Sequence, residues 1–366
     1  MSVMRGGFVR GLRPAPVVVA ATALVAACSS GATTASSANP SATDAVKTPA
    51  LSTTIDPAYD GTDKGNFTTL PEPSVKPGTA FKVGFLQTNG GQPFLLSMQD
   101  AAAAEVKKLG GSFIALDASS DPQKQASQLS QLISQHVNVI IGDPVVATAL
   151  GPGIAQARKA GIPFVAIGTP ADETKSPVPG AVTSISQGFD YTVYRTMKAL
   201  AAEHPGATFA TMGFALPVDQ LVFMVNRMQY WGEHFGLKFL GRVDTTSDNP
   251  MGFGPAASAI VSKYSNVQII VTFNDESAVA AATTVATTGK KVAVATPNAA
   301  ESATAAALKA GKLDLVYRTP WEQQGAQSVI AAYDTLTRQN LPLPKFINVP
   351  GSIVTPKTTA EAEWVQ

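Results

Sequence analysis

The sequence predicts an α/β fold: two doubly wound parallel-sheet lobes facing each other across an interdomain cleft. Three observations carry this expectation. Short apolar runs alternate with helical patterns, as in βαβ units. The runs are near-continuously apolar, which marks strands buried on both faces. The alternation occurs twice, with a break near Ile185–Gly188.

The elements follow in chain order. Residues 1–16 carry Arg5, Arg10 and Arg13 and no acidic residue, and Val17–Val25 is an apolar run of nine. A bilayer span needs about 20 such residues, so the run is too short to cross one. A positive start, a short apolar stretch and small residues behind it predict a signal peptide over 1–27. The run ends in Val25-Ala26-Ala27-Cys28, which looks like a lipobox and makes Cys28, the one cysteine in the chain, the expected lipidation site. From Ser29 to Ile55, 21 of 27 residues are Ser, Thr, Ala, Gly or Pro, so little apolar surface is available to offset the entropy of ordering. A largely disordered, lipid-anchored tether is expected over 28–78. Ordered structure then starts near Ala80, with Tyr59 and Phe67 available to lie against the body.

In the body, strands are expected at Phe81–Leu86, Ser112–Leu116, Val137–Gly142 and Pro163–Ile167. After the break they recur at Ala207–Phe214, Lys238–Val243, Val267–Phe273, Lys291–Ala295 and Asp314–Tyr317. Helical patterns at Leu95–Leu109, Pro122–Gln135, Ala149–Ala160 and Ser277–Thr288 lie between them, several followed by Gly, as helix ends prefer. Ligands of such sheets bind beyond the carboxyl ends of the strands, here an interdomain cleft.

Composition removes several function classes. The chain carries 27 basic and 26 acidic residues, or 24 against 26 once the first 27 are removed. No basic block is present, so nucleic acid is not an expected partner. One cysteine and three histidines offer neither a disulfide framework nor a zinc site. No Walker loop, strand-borne GxGxxG or GxSxG elbow occurs, so no cofactor, metal or catalytic residue is expected and the chain does not read as an enzyme.

Six segments carry a family likeness: Phe81–Gln99, Leu116–Asp121 (LDASSD), Ile140–Pro144 (IIGDP), Ala160–Phe164 (AGIPF), Phe273–Glu276 (FNDE) and Gly311–Leu313 (GKL). They occur in the order and at the spacing of the type I periplasmic sugar-binding proteins of ABC importers, the ribose-binding-protein-like group, here in lipoprotein form. The chain resembles that group from about residue 80 to 355. Each segment is weak alone; together they are specific to the superfamily but not to one ligand.

The resemblance implies a monomeric receptor that closes on a sugar, a polyol or a sugar acid by hinge bending. It further implies an ABC permease with its ATPase as partner, and a place on the outer face of the cell membrane, held by the Cys28 lipid. Chain crossings fall near Ser186–Gly188, Arg318–Pro320 and Leu343–Phe346. One lobe is then 80–187 plus 319–343, and the other 188–318 plus 344–358. The family's binding positions map onto Gln92, Phe94, Asp143, Thr169, Asp248, Asn249, Asn274, Asn298 and Arg318. For four of these a structural role stands beside the binding one: Phe94 as interlobe core, Asp143 and Asn274 as helix caps, Arg318 as a hinge ion pair. Gly168 and Thr169 stand where the sugar binders carry an Asp-Arg pair, and Val225 where they carry an Arg. Two further functions stay open on the same fold, a receptor reporting to a membrane signalling partner and a cleft enzyme.

Overall fold

The structure is a computed structural model that describes residues 55–63, 67–73, 81–169, 178–247, 249–338 and 341–365. Cys28, the expected signal segment and the tether as far as residue 54 lie outside the described residues, as does Asp248.

The first run of elements is β1 (Lys82–Gln87), α1 (Pro93–Lys108), β2 (Ser112–Asp117), α2 (Pro122–Ser134), β3 (Val139–Gly142), α3 (Gly151–Lys159), β4 (Phe164–Ile167) and β5 (Thr183–Ser186). Then come α4 (Phe189–Glu203), β6 (Thr208–Phe214), α5 (Asp219–His234), β7 (Lys238–Thr245), α6 (Pro250–Lys263), β8 (Ile269–Val271) and α7 (Asp275–Thr288). The chain closes with β9 (Ala293–Ala299), α8 (Ser302–Lys309), β10 (Leu315–Arg318), α9 (Trp321–Thr337), β11 (Phe346–Asn348) and β12 (Ser352–Val354).

Among the described residues these strands form two six-stranded sheets, ordered β11-β5-β4-β3-β1-β2 and β12-β10-β9-β8-β6-β7. Every pairing in the first sheet is parallel, and in the second only the edge strand β12 runs antiparallel, against β10. The two-lobed parallel architecture read from the sequence is the one observed.

Burial on both faces explains why the strands are apolar throughout. Val83 and Phe85 of β1, Val139 and Ile141 of β3, and Val165 and Ile167 of β4 pack into one cluster with Met98 and Val329. The intervening Leu86, Ile140, Phe164 and Ala166 pack into another with Leu129, Leu132 and Ile154. Successive strand residues thus alternate between two helical layers. In the second lobe Phe209, Met212, Ile269, Val271 and Val294 share a core with Trp231 and Phe253.

Local chemistry sets the helix ends. Asp121 caps α2, its Oδ1 accepting from Gln123 N at 2.8 Å and Lys124 N at 3.1 Å, with Pro122 in the first turn. Gly289 ends α7 at φ +68°, a conformation an L side chain resists.

The chain passes between the sheets three times: after β5, after β10, and between β11 and β12. The third passage lies at 349–351, beyond the Leu343–Phe346 expected, because Phe346–Asn348 pairs in parallel with β5.

A correction concerns the chain ahead of the body. Packed structure begins by Ile55, not near Ala80. The Tyr59 ring sits 5.0 Å from the rings of Tyr191 and Tyr194 in α4. The hydroxyl of Tyr59 donates to Asp63 and Asp190, and Asp56 pairs with Lys198 at 2.5 Å. Farther on, Phe67 bridges to Asn348 of β11, Leu70 N donates to Gln327 of α9, and Glu72 pairs with Lys108 of α1. Residues 55–63 and 67–73 therefore form a strap that touches α4 at one end and α9 and α1 at the other.

Candidate functional site

A cavity lies between the lobes, and nearly every lining residue sits at or just beyond the carboxyl end of a strand. Thr88, Asn89 and Gln92 follow β1, Ser120 follows β2, and Asp143 follows β3. From the other lobe, Val218 and Gln220 follow β6, Phe273 and Asn274 follow β8, and Asn298 lies at the end of β9. Phe94 of α1 and Trp321 of α9 supply an aromatic wall, their ring centroids 5.1 Å apart and tilted by 39°.

Of the sequence-predicted positions, Gln92, Phe94, Asp143, Asn274 and Asn298 line this cavity. Asn274 also caps α7: its Oδ1 accepts from Ser277 N at 3.0 Å, and its own N–H donates to Ser277 Oγ. That capping leaves its amide nitrogen as the group facing the cavity. Thr169 lies outside, its hydroxyl bonded to Ser184 and its side chain on a neighbouring groove with Pro144 and Phe223. Asn249 caps α6 through Met251 N at 3.0 Å, away from the lining. Arg318 is turned aside as well. Its Nε donates to Glu363 O at 2.7 Å, one terminal nitrogen to Thr319 O, and the other to Glu322 Oε1 at 2.9 Å.

Gln220, Trp321, Thr88 and Ser120 line the cavity without having been singled out from the sequence. Gln220 and Trp321 each stand in the first turn of a helix that follows a strand, and that position was the available signal.

The lobes meet through hydrogen bonds across the cleft. Gln220 Nε2 donates to Asp143 Oδ1 at 2.9 Å and to Pro144 O at 3.2 Å. Ala147 N donates to Asp219 Oδ2 at 2.9 Å, so the two lobes are held together at the mouth. Burial pushes the Asp143 carboxyl up to about 7, against the opposing donations of Thr88 and Gln220. Burial likewise raises Glu276, with the charge of Asp275 adding to it and a bond from Gln92 opposing it. Glu301 is pushed up to about 8 by burial and by the charges of Asp275 and Glu276. Among the described residues no cluster of three His, Cys, Asp or Glu side chains could hold a metal ion.

The profile of the periplasmic binding protein domain matches residues 83–340, most of the chain. The chain belongs to the periplasmic binding protein family. Its similarity to the first curated relatives is local. The ribose import binding protein of Bacillus subtilis is 30% identical over 95 residues, 26% of this chain and 31% of that protein. The xylitol-binding protein of Mycolicibacterium smegmatis is 48% identical over 50 residues, 14% of each chain. The alignment thus spans under a third of the first such relative. A solved ABC transporter solute-binding protein from Burkholderia graminis, in complex with D-arabinose, superposes with a TM-score of 0.70 at 16% identity, covering 79% of this chain and all of that one. One from Bacillus halodurans with bound myo-inositol gives 0.67 at 24% identity, covering 78% and 98%. At such identities the likeness is one of fold.

Within this periplasmic binding protein the absent Asp-Arg pair has a steric explanation. A Cβ on Gly168 would stand 2.5 Å from Asp143 Oδ1, so the Asp143 carboxylate fills the place a side chain at 168 would take. Arg227 does not supply the missing cation to the cleft. It is held by Asp190 at 2.6 Å beneath the strap.

Proposed function

We propose that this chain is an extracytoplasmic solute receptor of an ABC importer, which captures a sugar, a polyol or a related small polyhydroxylated solute between its lobes and closes on it by hinge bending. The observation that carries the reading is the interlobe cavity, where amide and carboxylate side chains face the Phe94–Trp321 wall. Flat apolar rings suit the C–H faces of a sugar, and planar polar groups suit its hydroxyls. Family membership supports a binding role, and the polyols and sugars bound by proteins of the same fold support the solute class. The three passages between lobes supply the hinge, and closure requires tighter binding to the closed form than to the open one. Retention at the outer face of the membrane through lipidated Cys28 completes the reading, with a permease and its ATPase as the receiving partner. The chain acts in it as a monomer that binds without turnover.

Calorimetry with pentoses, hexoses and polyols tests the receptor role. Saturable binding of at least one, with the sugar recovered unchanged, is expected; no binding across the panel, or turnover, would sink it. Anchoring is tested by Cys28→Ala, which should move the protein from the membrane fraction to the medium. Unchanged detergent partitioning would remove the lipid anchor from the reading.

A further inference from the structure

Resting on the receptor reading, we infer that the cleft selects its ligand by charge: it takes polyols that are neutral or carry an ammonium group, the amine-bearing ones best, and turns away those that carry a carboxylate.

Five side-chain amides line the cavity: Asn89 is satisfied at both ends, Asn274 keeps its nitrogen for the cavity, and in Gln220 and Asn298 the nitrogen is already committed. Gln220 Nε2 donates to Asp143 Oδ1 and Pro144 O, and Asn298 Nδ2 donates to Phe273 O at 3.4 Å. The Gln92 side chain pulls the Glu276 carboxyl down, the effect of an amide nitrogen turned toward it. Carbonyl and carboxylate oxygens only accept, so none of these last three amides can turn end for end without setting oxygen against oxygen. The free acceptors are therefore fixed as Gln92 Oε1, Gln220 Oε1 and Asn298 Oδ1, each buried and without a hydrogen-bond partner. These residues are only 5%, 8% and 4% exposed, so solvent does not readily supply the missing donors.

One carboxylate, Asp143, adds to this wall of acceptors, and behind the lining Glu276 Oε2 is buried with no partner. Against them the described lining offers two free side-chain N–H donors, Trp321 Nε1 and the Asn274 amide, and no Lys or Arg. Arg318, onto which the resemblance maps a binding position, is spent on Glu363, Thr319 and Glu322, and Arg227, two residues beyond Val225, is spent on Asp190. A carboxylate entering this cleft would give up its hydration and meet acceptors and like charge in return. A hydroxyl can donate to them. An ammonium brings three donors and the compensating charge.

Matched triads test the inference by calorimetry on the purified protein at pH 7.5: sorbitol with glucamine and gluconate, galactose with galactosamine and galacturonate, and the like for other parents. In a triad whose neutral member binds, the amine is expected to bind about tenfold more tightly and the acid about a hundredfold more weakly. An acid within about threefold of its parent, or an amine no tighter than its parent, overturns the inference while the receptor reading stands. No binding by any member of any triad removes both. Asp143→Asn is expected to shrink the amine-to-parent ratio. Glu276→Gln, at a less buried position, does the same where the first variant fails to fold. A ratio unchanged in the folded variant overturns the assignment.

Discussion

Gln220 Nε2 stands 2.9 Å from Asp143 Oδ1, a single hydrogen bond that ties the start of α5 in one lobe to the turn after β3 in the other. It makes the lobes' contact and the cavity's chemistry one structure, because both side chains also line the cleft. Removing the donor leaves a buried carboxylate without it, at a cost of about 1–3 kcal/mol. Gln220→Ala is therefore expected to lower ligand affinity by about that amount, and to enlarge the unliganded protein in small-angle scattering. An unchanged scattering radius together with full affinity would show that this bond does not hold the lobes.

Stability should depend on pH with a sign set by the raised carboxyls. Asp143 and Asp63 are pushed up to about 7 by burial, Asp63 also by the charge of Asp190, and Glu301 to about 8. In the unfolded chain the same groups lose their protons in the ordinary carboxylate range, so between about pH 4 and 8 the folded form binds more protons. Their contribution is full at the acid end and is lost as pH rises through the raised values. Asp56 and Asp117 are shifted down instead, by hydrogen bonds, and their favourable contribution is complete once the unfolded carboxyls have ionised. The melting temperature should accordingly fall from pH 5.5 to 8, and fall less in Asp143→Asn. A melting temperature that climbs over this window would contradict the sign.

Gly168 adopts φ +69°, and its missing Cβ clears Asp143 Oδ1. Gly168→Ala combines backbone strain with a direct clash, so a loss of about 1–3 kcal/mol in stability is expected. Affinity should fall with it, because Asp143 has to move. Chemical denaturation and calorimetry on the one variant read both effects.

The aromatic wall can be tested separately from the polar groups. Phe94 is 8% exposed and packs on Trp321, so Phe94→Ala should weaken sugar binding by about 1–3 kcal/mol, while Phe94→Tyr keeps most of it. Equal affinity in the alanine variant would assign Phe94 to interlobe packing alone.

Tyr59 tests the strap. Its ring is buried among Tyr191, Tyr194 and Trp231, and Tyr59→Ala should cost about 3–5 kcal/mol, as buried aromatic truncations do. Tyr59→Phe removes only the hydroxyl bonds to Asp63 and Asp190, and should cost about 1 kcal/mol. A melting temperature indifferent to both would mean the strap adds nothing to the fold.

Much of this molecule was legible because burial on two faces writes itself into β1, β3 and β4 as unbroken apolar runs. The misses share a cause. Strand β5 reads Thr-Ser-Ile-Ser and is buried with its hydroxyls bonded to Pro344, Thr169 and Gly188, so tertiary pairing overrides a polar sequence. Strands β11 and β12 have three residues each, too few for any periodicity to show. In the cleft, Gln92, Phe94, Asp143 and Asn274 were legible because they follow strand ends within the family-like segments, and Asn298 because it follows the expected strand Lys291–Ala295. Gln220 and Trp321 follow strand ends without a motif. Arg318 was expected at the cleft from its place beside a crossing, but a position in sequence does not say which way a long side chain turns. Here Glu322 one helical turn on, and the carbonyls of Thr319 and Glu363, draw it away.

For anyone wishing to prepare the body of this protein alone, the strap decides where to cut. A chain started at Phe81, the natural choice from hydropathy, would strip the cover from Tyr191, Tyr194 and Trp231 and leave Asp190 with fewer donors. The result would be a sticky aromatic face on one lobe. Cutting ahead of Ile55 keeps that face dry.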